Sequence, residues 1–410
     1  MMQFHLFLPC AGGVEAWLAE EVTRVCGDAA RDVRTARGGV QLLAGWPEVM
    51  KLNLQSRLAV RVLVQLAHQP YRAEQDLYDA ASAIAWEQWF STRDSFKIEI
   101  TAHASPLKSL NFAALRIKDA VADRFRDRGG ARPDVDTQRP VVRIFAHLGA
   151  DTVTIYMDTS GEPLFKRGWR EDKGEAPLKE TLAAAMIAAS GWDARTPLYD
   201  PCCGSGTIAI EAAQVACNIA PGLLRRFGFE RLKLHAPAEW QALKAEAQAA
   251  RHAPTAAIFG SDVAFRMVDF AQRNAERAGV ADAVQFRGGD ALQRMPPGDA
   301  PGVMLLNPPY GERIEAAGIA GRGRGGREQA QMEQAGDFFA QLATHWKRHY
   351  AGWTAWVLSP DAKLPGRMRL KETRRVPMWN GAIECRLFRF DMVAGSAREP
   401  RGARSDAAGS

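Results

Sequence analysis

The run Gly302-Val303-Met304-Leu305-Leu306 ends abruptly in Asn307-Pro308-Pro309-Tyr310, and this junction restricts the fold more tightly than any other in the sequence. Five apolar residues followed by two prolines read as a buried strand that stops at a stiff turn, because proline lacks the N–H for a sheet ladder and fixes its own φ. About a hundred residues upstream, Leu198-Tyr199-Asp200-Pro201-Cys202 makes a matching strand. It runs into Cys203-Gly204-Ser205-Gly206-Thr207 and then an apolar helix. A strand, glycine loop and helix, answered by a later strand with a polar turn, indicate an open α/β sheet with ligands at the carboxyl ends of its strands.

The surrounding region, from 159 to about 393, agrees. An apolar helix is expected at 177–190. Strands are expected at 198–202, 257–261, 284–288, 302–306 and 353–358, with helices between the first four. That alternation predicts a doubly wound, mostly parallel, Rossmann-like sheet. Strands near Val376 and at 385–390 suit a terminal hairpin. Residues 218–255 exceed an ordinary connection and read as an insertion with a polar, Ala-rich helix. The segment 321–327, Gly-Arg-Gly-Arg-Gly-Gly-Arg, looks flexible, and the small, polar stretch 394–410 is expected to be disordered.

Ahead of this region stand two smaller α/β units. Residues 1–67 offer a strand (4–8), a helix (13–26), a strand (39–43), a helix (46–53) and a strand (61–65), which is a ferredoxin-like order. Residues 68–158 offer helices at 76–83, 86–90 and 112–128, an alternating strand at 95–102, and strands at 141–147 and 152–158 that suit a hairpin. This second unit has no glycine loop and no catalytic constellation. A basic helix beside a sheet suggests a binding module.

Charge points to the kind of partner. The formal net charge is +6. From Lys108 to Arg132 seven basic residues stand against Asp119, Asp123 and Asp127, and from Lys363 to Arg375 six stand against Glu372 alone. An anionic partner is expected. No run of about 18 apolar residues is present, so no membrane helix is expected, and the N-terminus lacks the basic start of a signal peptide. The six cysteines form no C-x-x-C pair and have no zinc spacing, so ordinary thiols of a reducing cytoplasm and no metal are expected.

The strand ends supply a cofactor site. Gly204 and Gly206 let backbone approach a ligand, and the helix beginning at Thr207 offers free N–H groups to a carboxylate. Asp200 is placed for an ammonium group. Gly260-Ser261-Asp262 sets an acid for ribose hydroxyls, and Gly288-Gly289-Asp290 sets one for an adenine amino group. An exposed strand-end aspartate is usually a cap, but three at successive strand ends carry more weight. With Asn307-Pro308-Pro309-Tyr310, the pattern is that of an enzyme methylating a planar amino nitrogen with S-adenosylmethionine. NAD is the rival for a glycine loop, but here the acid follows about sixty residues on rather than about twenty.

The catalytic expectation follows from the nucleophile. An amino group on a base has its lone pair delocalised into the ring. Two acceptors aimed at its N–H bonds, the side-chain oxygen of Asn307 and the backbone oxygen of Pro308, would draw that pair out. Pro308 and Pro309 stiffen the segment, and Tyr310 offers a stacking face.

The chain resembles the THUMP-domain class I RNA methyltransferases, and within them those that make N2-methylguanosine in bacterial 23S rRNA. The resemblance runs from about residue 4 to 392. It is carried by Asp76-Leu77-Tyr78-Asp79-Ala80, by Leu110-Asn111-Phe112-Ala113-Ala114-Leu115-Arg116-Ile117-Lys118-Asp119-Ala120, by the stretch from Asp158-Thr159-Ser160-Gly161 to Lys166-Arg167-Gly168-Trp169-Arg170, by Glu175-Ala176-Pro177-Leu178-Lys179-Glu180-Thr181, and by Asp200-Pro201-Cys202-Cys203-Gly204-Ser205-Gly206-Thr207. It implies a ferredoxin-like domain (1–67), a THUMP RNA-binding domain (68–158) and a class I methyltransferase domain (159–393). Its motifs map the cofactor onto Asp200, Cys202, Gly204, Ser205, Gly206, Thr207, Asp262, Asp290 and Asn307, and catalysis onto Asn307, Pro308, Pro309 and Tyr310. RNA contact is expected at Lys108, Arg116, Lys118, Arg124, Lys166, Arg167 and Arg170. The expected partner is large-subunit rRNA or its assembly intermediate, met by a cytoplasmic monomer. The alternatives are a tRNA guanine as target, or an RNA-binding assembly factor with an idle methyltransferase fold. Many relatives carry a second, fused methyltransferase that makes 7-methylguanosine. This sequence has no room for one, and that activity is not expected.

Overall fold

The computed structural model describes residues 2–174, 177–308 and 331–393, with backbone alone for 331–337. The fold contains two seven-stranded sheets. Strands of the first are β1 (Phe4–Pro9), β2 (Arg31–Ala36), β3 (Gly39–Ala44), β4 (Leu63–Pro70), β5 (Phe96–Ala102), β6 (Val142–Leu148) and β7 (Thr152–Asp158), in the order β2-β3-β1-β4-β7-β6-β5. The two N-terminal units expected from sequence thus share one sheet, and the boundary expected at 67 falls inside β4. β4 pairs with β1 only at Leu6↔Val64 and Phe7↔Leu63, then pairs along its length with β7 from Leu63↔Asp158 to Pro70↔Thr152. β2 was not foreseen: it is an edge strand whose RDVRTA sequence has no apolar alternation. A helix expected at 86–90 is a single 3₁₀ turn, Trp86–Gln88.

Helices α1 (Glu15–Cys26), α2 (Trp46–Gln55), α3 (Glu74–Ser82) and α4 (Leu110–Gly129) complete this part. The basic helix α4 starts where Ser109 Oγ accepts from the Phe112 N–H at 3.2 Å, and ends at Gly130 in the left-handed region. Ala113, Ile117, Ala120, Val121 and Phe125 form its buried stripe at helical spacing.

The second sheet comprises β8 (Leu198–Asp200), β9 (Ile258–Asp262), β10 (Val284–Gly288), β11 (Val303–Leu306), β12 (Thr354–Ser359), β13 (Arg374–Asn380) and β14 (Ile383–Asp391), ordered β10-β9-β8-β11-β12-β14-β13. The first five strands are parallel, and β14 runs antiparallel to both neighbours. Strand order reverses between β8 and β11, which creates the crevice where such sheets bind ligands. Among the described residues its helices are α5 (Glu180–Ser190), α6 (Thr207–Ala216), α7 (Pro237–Ala249), α8 (Phe265–Arg277), α9 (Gln331–His349) and α10 (Leu364–Met368).

The insertion between α6 and β9 joins the two halves. Its backbone donates from Gly222 to Leu54, from Phe229 to Thr159 and from Lys233 to Trp89, at 2.8–2.9 Å. Phe227 and Phe229 stack at 5.5 Å, Trp240 packs edge-on to both, and Phe229 meets Trp46 of α2. One apolar core therefore runs from the first sheet into the second.

Candidate active site

β8 delivers Asp200 to the crevice, and the chain turns at once: the Cys202 N–H donates to Asp200 Oδ1 at 3.1 Å. Gly204 and Gly206 have φ of 53° and 88°, a region that L side chains rarely adopt. At Gly206 a Cβ would lie 2.9 Å from Ala271 Cβ and 3.0 Å from the Phe286 ring, so this glycine lets α6 start hard against α8 and β10. Gly204 meets no such wall. Its N–H donates to Asp262 Oδ2 at 2.9 Å, and the Ala264 N–H donates to Oδ1 of the same carboxylate. Asp290 likewise accepts from its own turn, at the Leu292 N–H.

These strand ends enclose a cavity of about 500 Å³. Asp200, Cys202, Gly204, Ser205, Thr207, Asp262, Asp290, Asn307 and Pro308 all line it. Gly206 does not; it lies behind the loop as a packing residue. Pro309 and Tyr310, like the segment 321–327 and the tail 394–410, lie outside the described residues.

Electrostatics distinguish the acids. Asp200 is buried, and among the described residues it has no Lys or Arg partner. Burial pushes its carboxyl up to about 8, aided by the Asp262 charge and opposed by the Cys202 N–H. Asp262 is also raised by burial, against two N–H donors. Asn307 holds a buried side-chain oxygen with no hydrogen-bond partner among the described residues. The cavity thus presents an uncompensated acid at one strand end and an unsatisfied acceptor at another. This chemistry suits a ligand that carries a cationic amine and hydroxyls, as S-adenosylmethionine does, beside an N–H donor.

Sequence reading missed one wall, the strap 171–174. Lys173 and Gly174 line the cavity. The strap is clamped through Asp172, which accepts from Arg273 at 3.0 Å and from Arg277 at 2.6 Å, and these guanidinium groups hold its carboxyl down to about 2. Asn274, fully buried, donates to the Asp172 backbone oxygen at 2.8 Å and to the Ser205 oxygen at 3.1 Å, tying strap to glycine loop. The only trace of this in the sequence is the i, i+4 spacing of Arg273 and Arg277, which solvated helix faces commonly show.

The residues expected at RNA divide. Lys108 and Lys166 are exposed, the latter paired with Glu162. Arg116 lies over the Tyr78 ring at 4.7 Å and donates to Gln75, and Lys118 pairs with Asp119. Arg124 stays partly exposed and pairs with Glu87 at 2.7 Å. Two expectations are corrected. Arg167 is buried against Glu211, and Arg170 reaches Glu180 at 2.7 Å and the Thr207 hydroxyl at 2.9 Å. The chain from Lys166 to Trp169 alternates outward and inward, so Arg167 faces the core with Trp169.

Comparison with known proteins agrees with this architecture. Residues 5–63 match the RlmL ferredoxin-like domain, 71–158 the THUMP domain, and 167–322 the RMKL-like methyltransferase domain. Ribosomal RNA large subunit methyltransferase K/L of Shewanella amazonensis is 39% identical over 401 residues, covering 96% of this chain and 54% of the relative. The chain therefore spans about half the length of the curated relatives it matches. The crystal structure of SMU.472 complexed with SAH aligns with a TM-score of 0.83 and 26% identity, covering 97% of this chain and all of that one. TrmN from Thermus thermophilus shares the fold at a TM-score of 0.67 and 17% identity, covering 96% of this chain and all of that one. Between residues 5 and 322 three segments of the chain thus match, in succession, the RlmL ferredoxin-like, THUMP and RMKL-like methyltransferase domain families.

Proposed function

We propose that this chain methylates the exocyclic N2 of a guanine in large-subunit ribosomal RNA, with S-adenosylmethionine as the methyl donor. When bound, that cosubstrate supplies an activated methyl group on a sulfonium. The carrying observation is the Asn307 side-chain oxygen, buried without a donor among the described residues, on the wall that also holds Asp200, Asp262 and Asp290. Leaving such an oxygen unsatisfied costs about 1–3 kcal/mol, and an amino N–H of the target base would satisfy it. Accepting that N–H draws the nitrogen lone pair out of the ring, which is what a weak aromatic amine needs before it can attack. The Pro308 backbone oxygen is the second acceptor in this reading, and Tyr310 the stacking face. Asp200 holds the ammonium of the methionine moiety, Asp262 the ribose hydroxyls and Asp290 the adenine amino group.

Two likenesses support the reading. SMU.472 was crystallised with SAH, the molecule left after methyl transfer, and the Shewanella relative is named for large-subunit rRNA. The THUMP domain, with the exposed Lys108 ahead of α4, supports an RNA partner. Residues 1–158 then act as one binding platform and 159–393 as the catalytic domain, working in the cytoplasm. Among the described residues no helix is long and apolar enough to cross a membrane.

The test is transfer of labelled methyl to total RNA from cells lacking this modification, resolved by nucleoside and RNA class. N2-methylguanosine in large-subunit rRNA, lost with Asn307→Ala, is expected. The same nucleoside in tRNA would move the substrate. Absence of both transfer and SAH binding would favour an idle fold.

A further inference from the structure

The cavity mouth carries features that neither the cosubstrate nor Asn307 uses. Phe265, the first residue of α8, stands just outside the lining, between the lining residues Ala264 and Arg266, and is 75% exposed, more than any other large apolar side chain among the described residues. Its position is built: a Cβ on Gly288 would come within 2.6 Å of its ring, so only glycine lets the ring rest there. The next residue, Arg266, lines the cavity and stacks at 5.0 Å over Phe270, with Arg273 also over that ring at 5.2 Å. Lys173 reaches the same wall from the strap. Among the described residues neither Lys173 nor Arg266 has a carboxylate at ion-pair distance, and Asp172 is already taken by Arg273 and Arg277.

Charge changes sign between the interior and the mouth of this site. Inside stand Asp200, Asp262 and Asp290; at the exposed rim stand Lys173 and Arg266, without a carboxylate partner among the described residues, and next to Arg266 in the chain is a bare aromatic ring. The interior suits a cationic small molecule. The rim suits a polyanion whose repeating unit carries a flat ring, which is the chemistry of a single-stranded nucleic acid.

We propose that Phe265, Arg266 and Lys173 form an RNA-gripping rim, with Phe265 stacking on a base next to the target nucleotide and the two cations holding adjoining phosphates. This rests on the RNA methyltransferase reading. The experiment measures fluorescence anisotropy of a mixed-sequence single-stranded RNA 20-mer with the full chain, together with SAH affinity by calorimetry. Phe265→Ala should weaken RNA binding about tenfold with SAH affinity unchanged, and Phe265→Trp should restore it. Lys173→Ala with Arg266→Ala should reduce the slope of log affinity against log salt by about 1.4. Wild-type protein that binds no RNA would overturn both this rim and the function proposed above. RNA binding by the wild type that Phe265→Ala leaves intact would overturn the rim alone. Loss of SAH affinity instead would assign Phe265 to covering the cosubstrate.

Discussion

Arg167 Nε lies 3.1 Å from Glu211 Oε1, and both side chains are almost fully withdrawn from solvent. The pair joins the segment entering the catalytic domain to α6, the helix that follows the glycine loop. Arg167 also donates to the backbone oxygens of Leu164 and Arg57, so its planar fork spans three segments. Removing Arg167 leaves the buried Glu211 with only the long contact to Arg57, at 3.9 Å. Arg167→Ala should therefore lower stability by about 3–5 kcal/mol, seen as a lower urea midpoint, while the salt slope of RNA binding stays at its wild-type value. Unfolding at the wild-type midpoint would contradict the assignment.

Asn307→Ala removes the unsatisfied acceptor without touching the loop that holds Asp200 and Gly204. Turnover should fall about 10²–10³-fold, by analogy with deleting one oriented polar group at a transition state. SAH binding, measured calorimetrically, should weaken far less than turnover. Equal losses in both would make Asn307 a binding residue only.

Asp200 gives a pH dependence with a definite sign. Its carboxyl is raised to about 8 in the free protein, so below that pH it is largely protonated. A ligand ammonium selects the ionised form, so binding must release a proton below pH 8. SAH affinity should rise between pH 6 and pH 8, by up to about tenfold per pH unit, and then level off. Asp200→Asn should flatten the curve. For the free fold the same shift works the other way: the raised acid favours folding at low pH, and that contribution fades as pH climbs from the unfolded value, about 3.9, through about 8. Thermal midpoints across this window, compared with Asp200→Asn, isolate this contribution.

The two loop glycines should fail differently. Gly206→Ala adds a Cβ 2.9 Å from Ala271 at a φ of 88°, so clash and strain combine. Its thermal midpoint should fall by the equivalent of about 2 kcal/mol or more. Gly204→Ala meets open space and costs only its left-handed backbone, about 1–2 kcal/mol. Its methyl group stands on the ligand side, so SAH affinity should suffer more than stability. The reverse ranking would mean that the cavity is not the ligand site.

Much of the catalytic half was legible because its signals are local. An apolar run, a glycine loop and an acid at a strand end lie within a few residues of each other, and strand alternation then carries Asp200, Asp262, Asp290 and Asn307 to one edge of one sheet. The strap was not legible. Asp172 and Asn274 stand about a hundred residues apart, and nothing in either neighbourhood records the other.

The sequence by itself determined which segments become strands of the second sheet, where the chain turns there, and therefore which polar groups reach its carboxyl edge, since period and turn chemistry are short-range properties. Tertiary structure decided the rest. It made β4 the shared strand of two units through pairing with β7, a contact between residues some ninety positions apart. It also turned Arg167 and Arg170 inward to Glu211 and Glu180. A long flexible cation reads the same in a sequence whether it meets solvent, RNA or a buried carboxylate. Only the packing of distant elements supplies the partner that fixes its direction.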